Sequence, residues 1–181
     1  FLPKTQFGKL NFEKIKLNFL TEDEISYFKT FYLETIEDKI WIIDFKGNFF
    51  EIKINDIKKT NNKKSLKPKI ISSNLITKID KTGLGKGRVL GTLVYDGNIY
   101  IAFHASENNC KNLKVEFAKI NEKYLNFENF FNSEECGDYD LFGGKMQFFE
   151  HDKIEGLLLT TSDISRDKIN DDPQNDESIF G

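Results

Sequence analysis

Cysteine and histidine are scarce in this sequence, with two of each in 181 residues. Cys110 and Cys136 are far apart and belong to no CxxC pair, which argues against a structural zinc site. Two arrangements stay open for them: one disulfide in an oxidising compartment, or two free thiols. His104 closes an apolar run and is expected in the core or at a strand end. His151 lies in a polar reversal and is expected at an exposed hairpin tip. No apolar run approaches the ~20 residues needed for a bilayer-spanning helix, and no signal peptide is seen. Basic excess is missing too, since 26 Lys and Arg face 29 Asp and Glu for a net charge of -3. No overall field would draw in nucleic acid, so small or neutral partners are expected. The one Lys-rich stretch, residues 55 to 69, lacks interleaved aromatics and reads as a solvated loop.

A helical stripe is the last thing lacking, and short alternating strands take its place. Residues 1 to 25 alternate only loosely before an acidic turn at Thr21-Glu22-Asp23-Glu24. From Phe31 the pattern sharpens into Tyr32–Ile36, Ile40–Asp44 and Phe50–Ile54, joined by reversals at Glu37-Asp38-Lys39 and Lys46-Gly47-Asn48. It returns as Arg88–Tyr95, Ile99–Phe103 and Leu113–Ile120. A third copy runs from Tyr139 to Asp163. The central residues of the triplets Ile40-Trp41-Ile42, Ile99-Tyr100-Ile101 and Leu157-Leu158-Leu159 are 59 and 58 residues apart. This period predicts an all-β fold of β-propeller type, with Trp41, Tyr100 and Leu158 at equivalent blade positions and a β-sandwich as the competing architecture. About three units would not close a ring. The chain opens on Phe1 and stops at Gly181, just after an apolar strand begins at Ser178-Ile179-Phe180. It therefore reads as a fragment, incomplete at both ends, of a single propeller domain (residues 1–181).

The most informative stretch is the third copy. Gly143-Gly144 feeds a strand through Phe148, Glu150 to Gly156 reverse the chain, and Leu157 to Leu159 run out to Thr160, Thr161, Ser162 and Asp163. Paired glycines stand where a backbone must turn or something must approach closely. In an antiparallel hairpin, residues near 144 and 162 face each other, which would bring Lys145, Asp163 and the Gly143-Gly144 backbone to one rim. A plain surface ion pair between Lys145 and Asp163 would need no ligand.

Four fragments, in this order and spacing, resemble the glucose/sorbosone dehydrogenase family. They are Leu90-Gly91, Gly143-Gly144-Lys145-Met146, Leu159-Thr160-Thr161-Ser162-Asp163, and Asp172-Pro173-Gln174-Asn175 followed by Ser178-Ile179-Phe180-Gly181. The resemblance covers roughly residues 83 to 181. It implies about three four-stranded antiparallel blades of a six-bladed ring in the periplasm or outside the cell. It further implies pyrroloquinoline quinone (PQQ) as cofactor and a sugar or polyol as substrate, its alcohol oxidised by hydride transfer to the quinone. On that resemblance Gly143, Gly144 and Lys145 are candidate cofactor-binding residues, with Lys145 where an Arg is usual. Family calcium sites would lie beyond Gly181, and no metal ligands are expected within the chain. The position of the family's base histidine is held by Leu141, and a leucine cannot take a hydroxyl proton. Asp140 and Asp163 match nearby acidic positions and are the candidate catalytic residues, since a carboxylate becomes a base where its surroundings raise its pKa. The alternative is a propeller that has lost the chemistry and binds a carbohydrate or a partner protein over its loop face.

Overall fold

The computed structural model describes residues 16–17, 31–58, 65–79, 88–107, 110–120, 123–133 and 143–161. A two-residue strand β1 (Lys16–Leu17) comes first. A first unit follows with β2 (Phe31–Ile36), β3 (Lys39–Asp44), β4 (Phe49–Lys53), a single helical turn α1 (Ile54–Lys58), β5 (Ser65–Leu66), β6 (Lys69–Ser73) and a 3-10 turn at Leu75–Thr77. The second unit holds β7 (Val89–Tyr95), β8 (Asn98–Glu107), β9 (Cys110–Lys119), β10 (Tyr124–Leu125) and β11 (Glu128–Asn132), and the third is the hairpin of β12 (Met146–His151) and β13 (Ile154–Leu159). The fold is all-β, made of several antiparallel sheets. Among the described residues none of the sheets closes on itself.

Each unit begins the same way. Ile36 pairs with Lys39, Tyr95 with Asn98, and His151 with Ile154, so every first strand is joined to its second by a two-residue turn. Asp96 and Gly97 have φ of 45° and 70°, Asp152 and Lys153 have 50° and 69°, and Glu37 has 54°. Such left-handed turn residues match the right-handed twist of the flanking strands, and Asp-Gly takes them up with least strain. The strands then continue as meanders. The first sheet has the order β10-β6-β4-β3-β2 and the second β11-β9-β8-β7. β10 is the exception to sequence order: it belongs to the second unit yet pairs in parallel with β6 of the first, Tyr124 opposite Ser72.

The units stack in layers. Trp41, Ile43 and Phe49 of the first sheet pack against Val89, Ile99, Ile101 and Phe103 of the second, with Leu75 and Phe127 in the same core. The opposite face of the second sheet, with Leu90, Tyr100, Ala102, Leu113 and Val115, packs on Met146, Phe148, Leu157 and Leu159 of the hairpin. Ile42, Phe50 and Ile52 lie on the far face of the first sheet, with Ile57 of α1 and Leu66 of β5 against them. Polar contacts tie the layers together at three heights. Thr92 of β7 donates to the Glu34 carboxylate of β2. Lys78, after the 3-10 turn, bonds both the buried Glu116 carboxylate of β9 and the Phe127 carbonyl at 2.7 Å. Asn74 accepts from Phe127 N at 2.8 Å and donates to its carbonyl at 3.2 Å.

Trp41, Tyr100 and Leu158 each fall in the second strand of their unit. Trp41 points at the second sheet and Tyr100 at the hairpin. Leu158, whose neighbours Leu157 and Leu159 face the second sheet, is turned the other way and is 58% exposed. Residues 55 to 69 depart from the expected loop: α1 continues directly from β4, β5 pairs with β1, and β6 begins at Lys69 as the fourth strand of the sheet. β10 and β11 form where the sequence predicts no strand. Apart from β1, the loosely alternating N-terminal residues and the acidic turn at Thr21–Glu24 lie outside the described residues. So do Cys136 and the apolar segment from Ser178, and with Cys136 any pairing of the cysteines. No helix among the described residues is long and apolar enough to cross a membrane.

Equivalent position with unequal burial gives a direct test. Trp41, 3% exposed, should cost about 3 to 5 kcal/mol of unfolding free energy when replaced by Ala, whereas Leu158→Ala should stay within about 1 kcal/mol. Urea denaturation of both variants at low protein concentration measures the difference.

A second test uses Tyr32, whose hydroxyl donates to the Val89 carbonyl at 3.0 Å and so joins the first strands of two units. Burial raises its pKa above the ordinary 10.0, partly offset by the Arg88 charge. The folded protein therefore holds this proton where the unfolded chain releases it, so the contribution is full below pH 10 and is lost as pH rises beyond it. The fall in melting temperature between about pH 9 and about pH 11 should be smaller in Tyr32→Phe than in the parent protein.

Candidate functional site

The hairpin opens at the end of the molecule where β7 begins. Its closing contacts are short: Gly144 N donates to the Thr160 carbonyl at 2.6 Å, Thr160 N to the Lys145 carbonyl at 2.9 Å, and Lys145 N to Thr160 Oγ1 at 3.0 Å. Met146 is paired with Leu159. Gly144 and Lys145 thus stand opposite Thr160, and Ser162, expected opposite residue 144, lies outside the described residues.

The two glycines have separate reasons. Gly143 has φ 127°, and a Cβ there would lie 2.6 Å from the Thr160 carbonyl oxygen. Gly144 has φ 82° and is buried; its Cβ would lie 2.3 Å from Leu90 Cβ and 3.3 Å from Ala102 Cβ. The contact is reciprocal, because a Cβ on Gly91 would fall 1.9 Å from the Gly144 carbonyl oxygen. Here β7 is irregular, its register slipping between Val89 and Gly91. Backbone therefore meets backbone across the second and third units, which only glycine permits on both sides. Leu90-Gly91 and Gly143-Gly144 are two halves of one junction.

Lys145 and Thr160 are exposed at this mouth, while Met146 turns into the core beneath. Among the described residues Lys145 makes no ion pair. The other two proposed carriers of chemistry, Asp140 and Asp163, lie outside the described residues, as does Leu141. The mouth as described offers an ammonium group, while the Gly144 and Lys145 amides are engaged within the hairpin, as is the Thr160 hydroxyl, which accepts from Lys145 N at 3.0 Å and donates to the Lys145 carbonyl at 3.4 Å. Toward a PQQ carboxylate these residues supply one contact, through Lys145 Nζ. Among the described residues there is no group of three or more His, Cys, Asp or Glu able to hold a metal ion.

The remaining polar residues near this end have structural partners. Asp44, buried at the end of β3, accepts from Lys46 N at 3.0 Å, Asn48 N at 2.8 Å and Asn48 Nδ2 at 2.7 Å, closing the turn whose φ 83° residue is Gly47. This Asp-x-x-Gly-Asn turn was legible in the residue types. Phe45 of the same turn accepts from Val89 N at 2.9 Å, docking it on β7. His104 is buried in β8, on the face turned to the hairpin layer, and its backbone N donates to the Arg88 carbonyl at 3.1 Å. His151 is exposed at the far tip of the hairpin, 3.3 Å from the Asp152 carboxylate. Both histidines are where the sequence put them.

No protein-family model, curated protein or solved structure matches the chain. The likeness to glucose/sorbosone dehydrogenases rests on the residues quoted for it.

Replacing Gly144 by Ala combines left-handed strain with a collision against Leu90, and should cost about 2 to 4 kcal/mol. Gly97, at an open turn with φ 70° and nothing near its missing Cβ, should lose only about 1 kcal/mol as Ala, from conformation alone. Comparing the two variants by denaturant unfolding isolates the steric part.

Proposed function

We propose that this chain is part of a propeller-type β-scaffold that binds a small hydroxyl-rich ligand, a sugar or polyol, at the end where its hairpins open. The observation that carries the scaffold is the repeat of units. Three successive two-residue hairpins present their second strands alike, and β7 lies against β2 on one side and β12 on the other. In a propeller, first strands of neighbouring blades gather around an axis and the loops at one end form a binding face. Support for binding at the mouth comes from Lys145, exposed beside the close Gly91–Gly144 junction. A charged donor bonds a ligand hydroxyl or carboxylate more strongly than a neutral one.

The quinone-dependent dehydrogenase is the second reading. What favours it is Lys145, a cation beside the Gly-Gly turn that could pair with a PQQ carboxylate. A proton acceptor would then have to come from Asp140 or Asp163, because Leu141 cannot serve.

Titration calorimetry against a panel of aldoses and polyols tests the first reading. Binding should appear, and Lys145→Ala should weaken it about tenfold or more, the usual worth of a charged hydrogen bond. No binding across the panel, or binding indifferent to Lys145→Ala, overturns it. Dye reduction after adding PQQ and calcium, lost in Asp163→Ala, would decide for the dehydrogenase.

A further inference from the structure

The first strands of the three units run in the same direction. Tyr32 and Glu34 of β2 bond in that order to Val89 and Thr92 of β7, and Gly91 and Tyr95 of β7 meet Gly144 and Phe148 in the same order. All three two-residue turns therefore lie at one end of the stack and the mouth at the other. The two ends differ in charge. The turns hold Glu37 and Asp38, Asp96 and Gly97, and Asp152 and Lys153, all of them exposed, so four carboxylates face one cation there. Beside the mouth stand Lys46, Arg88 and Lys145, one cation from each unit. Val89 N donates to the Phe45 carbonyl, which sets Lys46 and Arg88 side by side along the backbone, and Gly144 meets Leu90 and Gly91, which sets Lys145 next to the same place. Asp44, the carboxylate in this group, is 6% exposed and already accepts three hydrogen bonds in its own turn. The Arg88 charge acts on the Tyr32 hydroxyl, opposing the effect of burial there.

We propose that the ligand of the mouth carries an acidic group, a carboxylate or a phosphate on its sugar or polyol frame, held by the combined charge of Lys46, Arg88 and Lys145. The proposal rests on the mouth being the binding end. Three cations drawn from separate units to one place create a local positive field although the chain as a whole has a net charge of -3. Like charges set close together repel, and an anion bound among them relieves that repulsion while gaining charge-assisted hydrogen bonds. A neutral sugar offers its hydroxyls to the same groups but leaves the repulsion in place. The acidic turns at the opposite end repel the same anion, so the polarity of the stack also favours approach at the mouth.

Titration calorimetry with D-glucose, D-glucuronate and D-glucose 6-phosphate tests it, since the three share one ring and differ in the charge carried at carbon 6. At least one of the two acids should bind about tenfold or more tightly than glucose, and which of them does separates a carboxylate from a phosphate as the acidic group. Raising sodium chloride from about 20 mM to about 500 mM should shrink this preference, because salt shortens the reach of the field. Lys46→Gln and Lys145→Gln should each lower the ratio of acid to glucose affinity several-fold, with far-UV circular dichroism confirming that both variants fold. Lys119→Gln, exposed at the opposite end beside Asn98, should leave the ratio unchanged. Equal affinity for all three ligands, the result if carboxylates such as Asp140 or Asp163 neutralise the cations, overturns the proposal and leaves sugar binding at the mouth standing. A preference that both lysine variants retain in full overturns it as well. Binding of none of the three overturns it together with the reading on which it rests.

Discussion

Burial of the second sheet on both faces is the constraint from which the layering follows. Along β8, Ile99, Ile101 and Phe103 point to the first sheet while Tyr100, Ala102 and His104 point to the hairpin, so one ten-residue strand serves two cores. Sheets with one wet face alternate apolar and polar residues, but Ile99 to Phe103 is continuous in apolar character because neither face meets water. Each layer outside it needs only one apolar face toward this sheet. Burying a Phe or Ile side chain is worth about 1.5 to 3 kcal/mol, and this strand supplies several such residues in opposite directions. The two-strand hairpin, marginal by itself in water, depends on that surface for its order.

Polar groups decide how the layers are aligned on this frame. Apolar packing alone tolerates sliding, whereas Lys78 with Glu116 and the Phe127 carbonyl, Asn74 with both polar groups of the Phe127 backbone, and Thr92 with Glu34 each fix one position of the first unit against the second. Glu116 has a side chain 6% exposed and Lys78 one of 32%, so the pair is lopsided. Removing Lys78 leaves a buried carboxylate without its cation, and removing Glu116 leaves a lysine that reaches water. Register between layers is thus held most firmly from the lysine side. The short parallel strand β10 has the same effect, lending a piece of the second unit to the edge of the first sheet.

Much of the architecture was legible because alternation and turn chemistry agree wherever a strand is flanked by a tight reversal. Asp96-Gly97 announced its hairpin, the reversal read over Glu150 to Gly156 narrows to a two-residue turn at Asp152-Lys153, and the spacing of Trp41, Tyr100 and Leu158 located second strands in all three units. What escaped was built from residues without a period. β6 starts among lysines, and Ile70 in it is largely exposed, so neither composition nor alternation separated it from loop. α1 is one turn of Ile-Asn-Asp-Ile-Lys placed by its attachment to β4 rather than by helix propensity. β10 owes its pairing to the neighbouring unit, and no local pattern reports a partner some fifty residues away, while β11 pairs with β9 of its own unit through a register shift between Asn129 and Phe131.

The site was legible in a different sense. Gly143-Gly144 did mark a close approach, and the thing that approaches is Gly91 of the second unit. This bears on what the family resemblance means. Leu90-Gly91 and Gly143-Gly144-Lys145-Met146 carried much of that resemblance, and nearly every residue in them has a packing reason: Leu90 and Met146 fill the core between layers, and Gly91 and Gly144 allow the contact above it. Any chain that stacks two such units with this separation meets the same steric demand, whether or not it binds a quinone. Lys145 is the exception, since it is exposed and its side chain is not required by the junction. Packing between the two units therefore accounts for these fragments by itself, while a proposal of dehydrogenase chemistry has to pass through Lys145, Asp140 and Asp163.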